Sequence, residues 1–188
     1  MQFVKNGPNI PEKLLQAHEE GKVVFFCGAG ISFPAGLPGF GGLVWNLYEK
    51  MGVTPNAVQE QALKLEQFDT AVSLLEGVKQ TNQWRRDVRI AMAELLNPDY
   101  SSSKSTATHK ALLHLSKIVD KETKESKTRL ITTNFDRVFH KAGELEKLDY
   151  PTYQAPLLPV PKNRWDGLVY LHGLLPEKIN GTDLDNLV

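Results

Sequence analysis

Apolar positions along the chain fall into two kinds of pattern. Two short stretches are apolar almost without interruption, Lys22 to Cys27 (KVVFFC) and Gly167 to Leu171 (GLVYL), and a third, Thr128 to Thr133 (TRLITT), is rich in β-branched residues. Runs of that length read as strands inside a sheet, and the first is expected to be covered on both faces. From about Leu43 to Val119, apolar residues instead recur at three- and four-residue spacing, in LVWNLYEKM, AVQEQALKL, FDTAVSLLEGV, WRRDVRIAMAELL and THKALLHLSKIV. That spacing predicts four or five amphipathic helices, placed as a helical insertion over about residues 43–127. A further helix is expected after Pro11, with Leu14, Leu15 and His18 on one face and Gly21 at its end. A short one follows Asp136 and ends near Gly143.

Each of the three strands runs into residues that carry chemistry. The first leads into Gly28-Ala29-Gly30-Ile31-Ser32 and on to Gly36, Gly39, Gly41 and Gly42, the second into Asn134-Phe135-Asp136, the third into His172-Gly173. In a parallel sheet the carboxyl ends of the strands share one edge, so these segments are predicted to meet at a single crevice. A glycine-rich turn between strand and helix exposes backbone N–H groups at the positive end of the helix dipole, which suits a phosphate. No Gly-Lys-Ser or Gly-Lys-Thr follows, which excludes a P-loop, and the stretch that would hold the acidic ribose ligand of a dehydrogenase reads WNLYEKMG, a helix.

Ser32 has two readings that position alone leaves open, a hydroxyl for a phosphate or a cap for the next helix. Asp136 likewise either faces a ligand beside Asn134 or caps the helix that begins at Arg137. His172 stands between an apolar strand and a glycine, where a general base is wanted, and imidazole ordinarily titrates near neutrality. His18, His109, His114 and His140 fall within helical patterns and read as core or surface residues, and Cys27 as core.

Composition narrows the class. The 188 residues suffice for one compact domain with its own core. Twenty-two basic residues balance 22 acidic ones, so the footprint of a direct nucleic-acid binder is missing. One cysteine excludes an internal disulfide framework and a four-thiolate zinc site, so no zinc or other metal is expected and a cytoplasmic setting fits. No apolar run approaches the roughly 18 residues of a membrane span, and no membrane partner is expected.

Read in order, Gly28-Ala-Gly-Ile-Ser32, Pro34-Ala-Gly-Leu-Pro-Gly-Phe40, Thr132-Thr-Asn-Phe-Asp136 and Leu171-His-Gly173 resemble the signature of the sirtuin (SIR2) family, over both ends of the chain but little of its middle. The resemblance implies an α/β fold with a Rossmann-like parallel sheet, and NAD+ as substrate. By it, Gly28, Ala29, Gly30 and Ser32 would cradle the diphosphate, with Gly36 and Thr133 in the same nucleotide-binding set. Phe40 would flank the nicotinamide, Asn134 and Asp136 would line its pocket, and His172 would be the base.

Three departures refine it: no four-cysteine zinc module, Gly39-Phe40-Gly41 where the deacylating enzymes usually carry Asp-Phe-Arg, and Thr133 in place of a glutamine. The chain is in these respects more similar to SIR2-like domains of bacterial anti-phage systems. The expected activity is therefore that of an NAD+ glycohydrolase, or NAD+ nucleosidase, releasing nicotinamide and ADP-ribose, with His172, Asn134 and Asp136 as the catalytic set. The alternatives are a protein deacylase or ADP-ribosyl transferase, and a non-catalytic NAD+ or ADP-ribose sensor. Further copies of the chain or a partner defence protein are expected alongside NAD+. The sheet is expected to be completed by a C-terminal part of a longer protein.

Overall fold

The computed structural model describes residues 1–119, 125–158 and 165–177. Helix α1 (Glu12–Glu19) starts behind Pro11 and the chain turns at Gly21, whose φ is +68°, as the pattern predicts. Strand β1 (Phe25–Cys27) leads into a 3₁₀ helix over Ala29–Ala35. Four helices follow: α2 (Phe40–Lys50), α3 (Ala57–Lys64), α4 (Phe68–Glu76) and α5 (Asn82–Leu95). Then come α6 (Ala107–Leu115), β2 (Lys117–Val119), β3 (Ser126–Thr132), α7 (Val138–Glu146), β4 (Thr152–Gln154) and β5 (Gly167–Tyr170).

The fold is α/β around a parallel sheet of order β1-β3-β5-β4, with β2 paired antiparallel to the start of β3. This is the Rossmann-like α/β architecture that the resemblance implies. Register decides where the chemistry lies. Cys27 pairs with Thr132, and Thr132 with Tyr170, so the three strands end level with one another. The ladder runs on past their ends, from the Thr133 amide to the Cys27 carbonyl (3.0 Å) and from the Leu171 amide to the Thr132 carbonyl (2.9 Å). Gly28, Thr133 and Leu171 therefore leave the sheet at one edge.

The structure corrects three local expectations. β1 is not buried on both faces, for Phe26 is 65% exposed; among the described residues this strand pairs with β3 alone, at the margin of the sheet. Lys117–Val119, read as the end of a helix, is a strand, because α6 stops at Ser116 and the next residues pair with β3. Gly143 does not end α7. It lies within the helix where the Tyr150 hydroxyl packs so near that a Cβ would meet it at 2.5 Å, and the chain turns only at Lys147, φ +53°.

Two cores result. Helices α2–α5 bury Val44, Leu47, Tyr48, Leu63, Leu75 and Val88 among one another. The sheet, α6 and α7 bury Leu113, Leu130, Phe139, Leu168 and Tyr170. Each such side chain taken from water stabilises the fold by about 1.5–3 kcal/mol. Polar atoms carried inward by the helical core find backbone carbonyls: Tyr48 Oη donates to Ala71 (2.7 Å) and Trp84 Nε1 to Leu75 (2.8 Å).

Candidate active site

The strand ends open onto a cavity of about 360 Å³. Leu37, Pro38, Phe40, Leu43, Leu96 and Phe135 give it apolar walls, while Ser32, Thr133, Asn134, Asp136, His172 and Asp69 supply the polar groups. A largely apolar pocket with a few converging polar groups, at the carboxyl edge of a parallel sheet, is where an α/β protein binds a ligand. Among the sequence-predicted residues, Ala29, Ser32, Phe40, Thr133, Asn134, Asp136 and His172 come together there. Gly28 and Gly30 stand beside it in the turn that enters the 3₁₀ helix. Gly36 closes the far end of that helix with φ +77°, its amide on the Phe33 carbonyl, and does not line the cavity.

Ser32 is the hub of the polar wall. Its hydroxyl, 1% exposed, donates to Asp136 Oδ2 (2.8 Å) and accepts from Asn134 Nδ2 (3.0 Å). His109 Nε2 lies 3.3 Å from the same oxygen. The one serine hydrogen goes to the carboxylate, so the neutral imidazole must carry its hydrogen on Nε2 and donate. His109 Nδ1 is then a buried acceptor without a partner among the described residues. Burial holds His109 neutral, with its pKa pushed down to about 4.

Asp136 also accepts from the Val138 amide at Oδ1 (3.0 Å), so it holds the first turn of α7 from just ahead of the helix, in line with the capping reading, while its Oδ2 takes the Ser32 hydrogen bond. Burial raises its pKa above the ordinary aspartate value, opposed by hydrogen bonds from Val138, Ser32 and Asn134. Asn134 is itself fixed through its amide, which donates to Thr132 Oγ1 (3.1 Å). The wall is thus a set of groups held by one another before any ligand arrives.

His172 differs in kind. It is exposed at the rim, two residues past the end of β5, precedes Gly173 at φ +96°, and sets its ring 6.1 Å from that of Phe135. The Ser32 hydroxyl is occupied within the wall, so the donors of the glycine turn that stay open to a ligand are backbone amides, the first N–H groups of a helix having no acceptor inside it. A Cβ at Gly30 would meet nothing within 4 Å. The fold itself does not demand glycine there, whereas a ligand lying against the backbone would.

Sequence reasoning missed two polar members of this site, His109 and Asp69. Both sit in helices whose periodicity accounts for them without any ligand. Among the described residues no group of His, Cys, Asp and Glu is placed to hold a metal ion, and no helix is long and apolar enough to cross a membrane.

Comparison with known proteins bears on the half of the crevice built from β3, α7 and β5. Residues 128–187 match a family model described as a SIR2-like domain, so the stretch carrying Asn134, Asp136 and His172 is SIR2-like. The chain is also 31% identical over 182 residues to a Sinorhizobium fredii protein whose name reads "Uncharacterized protein y4cA". That alignment takes in 91% of this chain and 14% of the relative, so the chain spans about a seventh of the length of the protein it matches.

Proposed function

From a SIR2-like crevice as premise, we propose that this chain binds NAD+ and hydrolyses its bond to nicotinamide, giving nicotinamide and ADP-ribose. The observation that carries the reading is the buried Asn134–Ser32–Asp136 wall beside an apolar cavity, with His172 at its rim. The cavity lies at the small end of ligand pockets, a size for the nicotinamide and its ribose rather than a whole dinucleotide. The diphosphate lies outside, against the amides of Ala29 and Gly30 at the start of the 3₁₀ helix.

The chemistry asks for little acid catalysis. The C1′–N bond breaks with its electron pair on the ring, so a cationic nicotinamide leaves neutral and positive charge develops on the ribose, as in glycoside cleavage. Asp136 supplies a fixed negative charge to that transition state, and its hydrogen bonds keep the carboxylate oriented without reorganisation. His172 takes a proton from the attacking water as its oxygen bonds to C1′, and the Asn134 amide positions that water. A domain with this chemistry within a longer cytoplasmic protein would deplete cellular NAD+, the role implied by the resemblance to defence domains, in which further copies of the chain or a partner protein would control it.

The test is release of nicotinamide from NAD+ by the natural full-length protein. His172→Ala and Asn134→Ala are each expected to lower turnover by about 10²- to 10⁴-fold with folding intact. Turnover that survives both substitutions would contradict the mechanism. An acyl-lysine peptide in the same assay separates hydrolysis from deacylation by showing which acceptor takes the ribose.

A further inference from the structure

The helical half of the molecule hands one charged side chain to the cavity. Phe68, the first residue of α4, sets its ring edge-on to Phe40 with centroids 5.7 Å apart and planes at 68°. The Gly41 backbone comes so near that a Cβ there would lie 2.8 Å from the Phe68 ring. These contacts seat the first turn of α4 against the first turn of α2 and place Asp69, the next residue, in the cavity wall. An acid in a first helical turn ordinarily complements the helix dipole. Here it also completes an imbalance: the cavity is lined by two carboxylates, Asp69 and Asp136, and among the described residues by no lysine or arginine. Phosphate groups are repelled from such a space and a cation is drawn in.

We infer that Asp69 is a specificity-determining residue that makes the cavity select a cationic N-substituted pyridinium, the oxidised nicotinamide ring, over a neutral ring of the same shape. This rests on the reading of the crevice as the nicotinamide site. It adds a consequence that hydrolysis alone does not. The ring carries its charge only while bonded to C1′, because the electron pair of the broken bond stays on the ring nitrogen. Asp69 therefore attracts the substrate and releases the product, and it disfavours the neutral dihydropyridine of reduced dinucleotides. Asp69 is exposed, so the effect is moderate and screened by salt.

Two small probes test this without any turnover: N1-methylnicotinamide, a permanent cation, and nicotinamide, its neutral counterpart. Their dissociation constants are measured on the wild-type chain, Asp69→Asn and Asp69→Glu, at low and physiological salt. The wild type is expected to prefer the cation, and added salt to shrink that preference. Asp69→Asn should lower it about three- to tenfold by weakening the cation alone, while Asp69→Glu retains most of it. An unchanged ratio in Asp69→Asn, or equal weakening of both probes, overturns the inference. A wild type that shows the charge preference yet never releases nicotinamide from NAD+ contradicts the hydrolase reading alone. One that cleaves NAD+ while Asp69→Asn leaves the ratio untouched contradicts only this assignment.

Discussion

The crevice and the helical layer α2–α5 solve the problem of buried polar groups in opposite ways. In the helical layer the buried polar side chains among the described residues turn to the main chain, as Tyr48 does to Ala71, Trp84 to Leu75 and Gln59 to Asn56 and Leu74, and the rest is apolar packing. In the crevice, side chains satisfy side chains: Ser32 serves Asp136, Asn134 and His109 together, and one ring nitrogen of His109 is left over. The first arrangement is stable and chemically quiet. The second retains a buried carboxylate and an amide aimed at a cavity, whose stability has to come from the packing beneath them. The proposed chemistry and the main stabilising core therefore fall in different regions, and the separation can be tested from both sides.

The largest effect on stability is expected in the helical layer. Leu75 is fully buried in that core, and Leu75→Ala should cost about 2–5 kcal/mol in denaturant unfolding while leaving nicotinamide release per folded molecule close to wild type. Ser32→Ala should show the reverse balance, losing about 1–3 kcal/mol because Asp136 and Asn134 each lose a buried partner, but lowering turnover about tenfold or more. If both substitutions moved stability and turnover together, the two regions would not be separate.

A smaller effect distinguishes them by pH. His109 and His140 are both held near pKa 4, chiefly by burial, against about 6.5 in an unfolded chain, and no histidine lies in α2–α5. Between those values the unfolded state binds more protons, so stability rises with pH and falls as pH drops from about 6.5 towards 4, by up to two protons per unfolding event. Asp136, raised by burial, acts in the opposite direction just above the ordinary aspartate value. His109→Gln should reduce the pH slope by about one proton, measured from unfolding midpoints at several pH values.

The same contrast explains what the sequence made legible. Gly167 to Leu171 announces itself as a strand because a strand buried on both faces has no polar side, and Thr128 to Thr133 does so through its β-branched residues, so the residues that follow each stand out as chemistry at a strand end. Parallel topology puts the carboxyl ends of the strands on one edge, which is why Asn134, Asp136 and His172 could be brought together from the sequence, whereas the register that makes those ends level depends on tertiary packing. The link between Ser32 and His109 spans 77 positions, and His109 occupies an apolar-stripe position of THKALLHL where any buried residue would serve. Asp69 is hidden in the same way, since an acid at a helix start needs no ligand to explain it. Strand β4 has three residues and no periodicity to read. The exposed side of Phe26 reflects the place of β1 in the sheet order, which an apolar run does not encode.

The most direct test of the account is a crystal structure of the protein with a carbocyclic NAD+ analogue that cannot be hydrolysed. The pyridinium ring is expected in the cavity between Phe40 and Asn134, with the anomeric carbon facing the His172 imidazole and the diphosphate over the amides of Ala29 and Gly30. A dinucleotide bound elsewhere, or bound there with the imidazole of residue 172 turned away from the ribose, would contradict it.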